Sequence, residues 1–327
     1  MQNKITNIIT IGASAGGITA VSRLCASFND DFDAAVFVVI HLSKTSLVDV
    51  VLRQIQKTSK LPCRIPVNDE AIQNGYIYLA PPDHHMMLTQ GRIMIKKGAY
   101  ENHWRPSIDV LFRTAAAAYD SCVTGIILTG MLDDGSSGMS AIKKSGGRCM
   151  IQDPLEAEFS DMPNNVLKNV NVDYKGSLEE IGYVLSDLFS RSECERSPVP
   201  DDIKLEAEIT LRMSSLAEDT EKLGELTHFT CPDCGGSLVK INGEEPPRYR
   251  CYTGHSFTQN ALAIQQTKAL EESLWIAIRM MEERRNLLNS ITNVNYDGKT
   301  ERAEQMKLHI ERLKSILQEL GNNSTNN

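Results

Sequence analysis

Two rhythms of apolar residues run through the first 190 or so positions of the chain. Short β-branched runs at Ile8–Ile11, Ala35–Ile40, Tyr76–Leu79, Gly125–Leu128 and Cys149–Gln152 read as buried strands. Between them, Ile18–Phe28, Leu47–Lys57, Ile108–Tyr119, Ser137–Lys144 and Leu178–Ser190 carry apolar residues at helical spacing. This alternation predicts an α/β domain over residues 1–192, a doubly wound and mainly parallel sheet with helices on its faces. Such sheets bind ligands outside the carboxyl ends of their strands, so the residues that follow each strand carry the functional question.

Near Ser192 the pattern changes. Ser197-Pro-Val-Pro-Asp-Asp reads as linker, and Ile203–Lys222 is an acidic segment with Leu205, Ile209, Met213 and Leu216 on one helical face. Together they occupy residues 193–226, and the simpler reading packs that helix on the first domain. Residues 227–257 form a small Gly- and Pro-containing module with hardly any core of its own. Over 258–321, Leu270, Leu274, Ala277, Met281, Leu288 and Ile291 keep a three-to-four spacing. After a break at Asn295-Tyr-Asp-Gly298, Met306, Ile310, Leu313, Leu317 and Leu320 repeat it, which predicts an antiparallel helical hairpin. Two such faces can bury each other, or join a second copy, a regulator or a receptor helix. Asn322–Asn327 is polar and expected to be disordered.

Composition narrows the function classes. With 41% hydrophobic residues the chain can build a proper core, and 34 basic against 42 acidic residues give a formal charge of −8. That balance offers no general attraction to nucleic acid or to an anionic membrane. No apolar run approaches the ~20 residues needed to cross a bilayer, and no signal-type segment precedes the first strand. The expectation is a cytoplasmic protein without membrane insertion. Its cysteines should then be reduced, with Cys25, Cys63, Cys122, Cys149 and Cys194 scattered like buried thiols.

Candidate chemistry begins at Ile8–Gly17, IITIGASAGG, where strand, tight turn and helix follow one another. The pattern G-x-S-x-G sets Ser14 where a nucleophile elbow would hold it, with the amides opening the next helix facing any oxyanion. A dinucleotide fingerprint would need glycine at position 14 and a P-loop would need G-K-[ST], so both fit poorly; an ordinary glycine-rich turn remains the bland alternative. His41 follows the second strand and suits general base work, although a lone histidine there is commonly a surface or capping residue. Asp134 follows the strand at Gly125–Leu128, in a turn where an acid often serves only as an N-cap. Three such residues at the carboxyl ends of three parallel strands are the set a Ser-His-Asp triad needs. Their order, Ser14, His41, Asp134, disfavours a lipase-type esterase, in which the acid precedes the histidine.

A second constellation lies at Cys231-Pro-Asp-Cys234 and Cys251-Tyr-Thr-Gly-His255, spaced C-x2-C-x16-C-x3-H. Each short turn can present two ligands, so Cys231, Cys234, Cys251 and His255 suit one tetrahedral zinc in a ribbon. Four protein ligands would close the coordination sphere and make the metal structural. His84, His85 and His103 have no matching cluster and read as solvent-facing or groove residues. Arg105 and Asp109 are spaced for an i, i+4 pair.

The segments IGASAGG (11–17), VVIHLS (38–43), YLAPPDHHM (78–86), RPSIDVLF (105–112), ILTGMLDDGSSGM (127–139) and QDP…FSDMP (152–163) together resemble the CheB-type catalytic domain of the chemotaxis protein-glutamate methylesterases. The resemblance covers about residues 5–190. It implies Ser14 as nucleophile, His41 as base and Asp134 as orienting acid, with Ala15 and Met131 beside the oxyanion site and no cofactor in catalysis. It further implies demethylation of glutamyl γ-methyl esters on chemoreceptor cytoplasmic domains, with glutamine deamidation as a second activity. Ala15 stands where the family commonly has threonine, and Leu132-Asp133 replaces a smaller, less charged pair, so Asp133 is placed to perturb His41 or reject some substrates. The first strand begins close to Met1, and no attached receiver domain is expected. Two rival readings stand beside this one. The first is an inert esterase fold serving as an adaptor through its ribbon and tail. The second is nucleic-acid binding by Lys240, Arg248 and Arg250 near the cysteines.

Overall fold

The protein is described from a computed structural model that covers residues 7–191, 194, 196–213, 216–290 and 298–324. It divides into two compact units, Met1–Ala261 and Leu262–Asn327.

The first unit opens with β1 (Ile8–Ala13), α1 (Gly17–Ala26), β2 (Ala35–Ile40), α2 (Val48–Thr58), β3 (Cys63–Arg64), β4 (Glu70–Ala71), β5 (Ile77–Leu79), β6 (His85–Thr89) and β7 (Arg92–Lys96). Then follow α3 (Ile108–Tyr119), β8 (Val123–Ile127), α4 (Ser136–Lys144), β9 (Arg148–Gln152), α5 (Asp161–Asn169), β10 (Tyr174–Gly176) and α6 (Leu178–Arg191). Seven strands form one sheet in the order β10-β9-β8-β1-β2-β5-β3, with every pair parallel. β1 and β2 are buried along their whole length, as parallel strands covered on both faces must be. One core layer joins the sheet to α3, α4 and α5, the other to α1, α2 and α6. The chain crosses from one side of β1 to the other between β5 and β8, so the strand-order reversal falls at β1. That is where a doubly wound sheet opens a crevice.

The pattern missed the small antiparallel sheet β4-β7-β6, whose β6 and β7 form a hairpin with His85 opposite Lys96. It also merged what the structure separates as α7 (Asp201–Arg212) and α8 (Ala217–Leu223), because Met213 takes φ 56 and ends the first helix. Ile203, Ala207 and Ile209 are buried, whereas Met213 and Leu216 are exposed. The expected apolar stripe therefore stops after Ile209.

Next comes a four-stranded antiparallel ribbon, β11 (Gly224–Thr230), β12 (Ser237–Ile241), β13 (Arg248–Cys251) and β14 (Ser256–Thr258). It belongs to the first unit and bonds to it through its backbone: Asn102 N–H donates to Ser256 O at 2.8 Å and Ser256 N–H to Tyr100 O at 3.3 Å. A buried ion cluster fixes the same seam. Arg113 reaches Glu101 at 3.0 Å, Arg250 reaches Glu101 at 3.0 Å and Glu206 at 3.1 Å, and Arg248 reaches Glu206 at 2.5 Å. Burial alone would raise the pKa of Glu206, but the three guanidiniums hold it below the usual carboxylate range. Arg248 and Arg250 are each 1% exposed, which withdraws them from the nucleic-acid reading.

One cysteine expectation is corrected. Cys122 and Cys194 are joined as a disulfide with Cα atoms 5.3 Å apart, while Cys25 and Cys149 remain buried free thiols. Spacing in sequence, 72 residues, gave no sign that the end of the first domain returns to the start of β8.

The second unit holds most of α9 (Gln259–Ser290) and all of α10 (Lys299–Ser324). Ile278, Leu288, Ala303 and Ile310 are buried, and Lys314 of α10 pairs with Glu282 of α9 at 3.0 Å. Leu270 is exposed, against expectation. Ile291 and the break at Asn295–Asp297 lie outside the described residues. α10 continues through Asn322, Asn323 and Ser324, so the helix reaches into the tail expected to be disordered; residues 325–327 lie outside the description. No helix among the described residues is long and apolar enough to cross a membrane.

Candidate active site

Ser14 follows the last residue of β1, and its backbone is held by the loop after β8 and by the start of α1. Its N–H donates to Thr129 O at 3.0 Å, and its own carbonyl accepts from Gly17 N–H at 2.8 Å. Gly16, at φ 73, caps α1 in a conformation open to glycine, and a β-carbon there would meet Glu158 Oε2 at 2.6 Å. Gly130 leaves the space beside the serine, since a β-carbon on it would come within 2.8 Å of Ser14 Cβ. Ser14 is half-buried at the mouth of this turn.

β2 pairs with β1 up to Ile40 opposite Ala13, and His41 N–H donates to Ala13 O at 3.1 Å. The register thus sets His41 beside Ser14, one strand spacing away. The imidazole is buried and its Nε2 lies 2.8 Å from Asp134 Oδ2. A carboxylate accepts only, so Nε2 carries the proton and Nδ1 the lone pair. Nδ1 is buried and, among the described residues, has no hydrogen-bond partner. Trp104 lies against the ring, centroids 3.9 Å apart and planes 7° from parallel.

Asp134 comes from the loop after β8 and is received by the start of α3. Ile108 N–H donates to Oδ2 at 2.7 Å, Ser107 Oγ to Oδ1 at 2.9 Å and Asn102 Nδ2 to Oδ1 at 3.1 Å. Burial would push this carboxyl up, but His41 and these donors, with the positive end of α3, hold it below the usual range. Its neighbour Asp109 goes the other way: burial, then the charge of Asp134, raises its pKa well above the ordinary value. Burial pushes both acids up, and their net shifts run in opposite directions because His41 and the donors gather on Asp134.

Among the oxyanion candidates, Ala15 is anchored by Thr129 Oγ1, which donates to its carbonyl at 3.0 Å. Met131 is half-exposed, and Leu132 after it takes φ 68, a strained value for a bulky side chain, with its carbonyl held by Asn165 Nδ2 at 2.9 Å. Asp133 lines a small pocket with Ser136, Asn169 and Thr258 of the ribbon. Burial raises its pKa, partly offset by a hydrogen bond from Thr258.

Two expectations fail here. His85 is 1% exposed, not solvent-facing: its Nδ1 accepts from Ser107 N–H at 3.2 Å and its Nε2 donates to Ala99 O at 2.8 Å. Arg105 does not pair with Asp109, because it precedes the helix; it bonds Asp83 at 2.6 Å and stacks on Tyr100 at 4.1 Å. Asn102, Trp104 and Ser107 escaped the sequence reading. Only Ser107 carried a signal, as a helix-capping residue type ahead of Ile108.

Apart from this site, Cys231, Cys234, Cys251 and His255 converge in the ribbon, their ligand atoms all within 4.8 Å of one another, and can hold a metal ion. Two tight turns present them: Gly235 N–H bonds Cys231 O at 2.8 Å and Gly254 N–H bonds Cys251 O at 3.0 Å.

Known proteins match a little over half of this chain. A Leptospira interrogans protein, provisionally named a protein-glutamate methylesterase/protein-glutamine glutaminase, is 36% identical over 184 residues, which are 56% of this chain and 93% of that protein. A Methanosarcina mazei protein-glutamate methylesterase/protein-glutamine glutaminase is 28% identical over 55% of this chain and 51% of its own. The CheB methylesterase catalytic domain of Thermotoga maritima superposes with a TM-score of 0.53 at 27% identity, covering 56% of this chain and 98% of that one. The sequence profile of the CheB methylesterase family matches residues 9–185, and the chain belongs to that family.

Proposed function

We propose that this chain is a serine methylesterase that hydrolyses glutamyl γ-methyl esters on the helical cytoplasmic domains of chemoreceptors, with glutamine deamidation at such sites as a second activity. The observation that carries the reading is the ring of His41, bound to Asp134 at 2.8 Å through Nε2 while Nδ1 is buried with no hydrogen-bond partner among the described residues. Nδ1 is then the base. It takes the Ser14 hydroxyl proton as Oγ attacks the ester carbonyl, and amides near Ala15 and Met131 receive the negative charge. His41 returns the proton to the departing methoxide, releasing methanol. Water, deprotonated by the same nitrogen, cleaves the acyl-enzyme and leaves a glutamate carboxylate. Family membership and the names of the relatives support the ester and the receptor as substrate class.

In the ribbon the metal is read as zinc. Tetrahedral zinc, with bonds of about 2.3 Å to sulfur and 2.0 Å to nitrogen, spaces its ligands roughly 3.5–3.8 Å apart. Cys234 Sγ lies 3.7 Å from Cys251 Sγ, which lies 3.5 Å from His255 Nδ1. Cys231 completes a closed set, so the ion would hold the fold and take no part in the reaction. The tail hairpin is read as a surface for self-association, a regulator or the receptor, in a cytoplasmic protein.

Methanol release from methyl-labelled receptor membranes tests the substrate. Release well above that of membranes alone is expected; none, with a small methyl ester still cleaved, would overturn the receptor assignment.

A further inference from the structure

Asn102 is gripped from two sides. Toward the sheet, its Nδ2 donates to Asp134 Oδ1 at 3.1 Å and to Asp109 Oδ2 at 2.8 Å. Toward the ribbon, its N–H donates to Ser256 O at 2.8 Å, and Thr258 N–H donates to its Oδ1 at 2.9 Å. A backbone N–H can only donate, so β14 dictates which way the amide faces, and both Nδ2 hydrogens are turned onto the two acids.

The turn that carries Asn102 is itself held in an uncommon form. Asn102 at φ 49 and His103 at φ 73 are both left-handed, closed by Trp104 N–H to Glu101 O at 2.9 Å. Glu101, at its start, is clamped by Arg113 and by Arg250 of β13. Trp104, at its end, lies on His41. Ribbon, turn and site are therefore one hydrogen-bonded unit, and the family match ends at residue 185, before the ribbon begins.

We propose that Asn102 is a positioning residue for Asp134, and that strand β14 of the ribbon, by holding Asn102, sets the geometry of Asp134 and His41. This rests on the serine esterase reading above. The ribbon would then act on turnover through three residues, Ser256 to Thr258, that directly follow the ligand His255. Among the described residues, Asp134 and Asp133 from the loop after β8, His41, Asp109 of α3, His85 of β6, Glu101, Glu206 of α7 and the guanidiniums of Arg113, Arg248 and Arg250 are charged or titratable groups around this joint.

The test is steady-state kinetics of the full chain on a glutamyl γ-methyl ester peptide. Asn102→Gly removes the amide while glycine keeps the left-handed backbone. It should lower kcat roughly 10- to 100-fold with KM nearly unchanged, by analogy with other bonds to buried charges. Losing a donor makes Asp134 more basic and a stronger acceptor for the His41 proton, so the acidic limb of kcat/KM should move to higher pH. Thr258→Pro removes the ribbon's donor and should lower kcat further than Thr258→Val, which removes only the hydroxyl. In the Asn102→Gly background that difference should vanish. Unaltered kcat and pH profile in Asn102→Gly, or a Thr258→Pro effect that persists undiminished in that background, overturns the coupling, and an inactive Ser14→Ala in the same assay leaves the esterase reading standing. Turnover that survives in Ser14→Ala overturns both.

Discussion

The indole of Trp104 covers one face of the His41 imidazole, their centroids 3.9 Å apart. An aromatic face in contact with a ring that becomes cationic in the transition state favours the charged form and keeps water from it. Trp104→Ala should therefore lower kcat roughly 3- to 30-fold, the range of such an interaction, and Trp104→Phe should recover much of it. Equal losses in both variants would point to packing alone.

The ion cluster at the ribbon seam predicts an asymmetry in stability. Arg113 and Glu206 are buried with their charges compensated, so Arg113→Met, which leaves Glu101 and Glu206 with fewer partners, should destabilise the fold by about 3–5 kcal/mol. The exposed pair Arg279 and Glu283 should be worth less than about 1 kcal/mol. Denaturant midpoints of Arg113→Met and Arg279→Met measure both.

His85 supplies the pH dependence. Burial lowers its pKa, and its Nδ1 must stay unprotonated to accept from Ser107 N–H. The unfolded chain takes up a proton near the ordinary value of about 6.5 while the folded chain resists it, so its contribution is complete above that pH. Stability should fall as the pH drops below roughly 6.5, and His85→Leu should flatten that slope while lowering the plateau. A slope unchanged in His85→Leu would assign it to other groups.

The ribbon should carry about one zinc per chain, lost when Cys231 and Cys234 are both replaced by serine. Metal analysis of protein prepared without chelator decides this, and a metal-free product would remove the zinc reading.

What could be read from the sequence, and what could not, follows from the range of the forces involved. β2 and α3 have the same bounds in both readings, because strand and helix periods are local and dominated by burial. The neighbourhood of Ser14, His41 and Asp134 was legible because the first two directly follow β1 and β2 and the third lies in the loop after β8, and a parallel sheet sets those loops at one edge. The grip of Thr258 on Asn102 spans 156 residues, and the Cys122–Cys194 bridge spans 72; neither leaves a periodic trace. Glu206 shows the same limit: in an acidic helix it reads as a solvated face, yet it is buried among three arginines that lie far from it in sequence.

The central claim is that Ser14 forms an acyl-enzyme with His41 as its base. Its most direct test is the rate of methanol release from a glutamyl γ-methyl ester by Ser14→Ala beside the unaltered chain, with thermal midpoints to show both are folded. Loss of roughly a thousandfold or more is expected, the scale on which removal of a triad nucleophile acts. Turnover within a few-fold of the unaltered chain would contradict it.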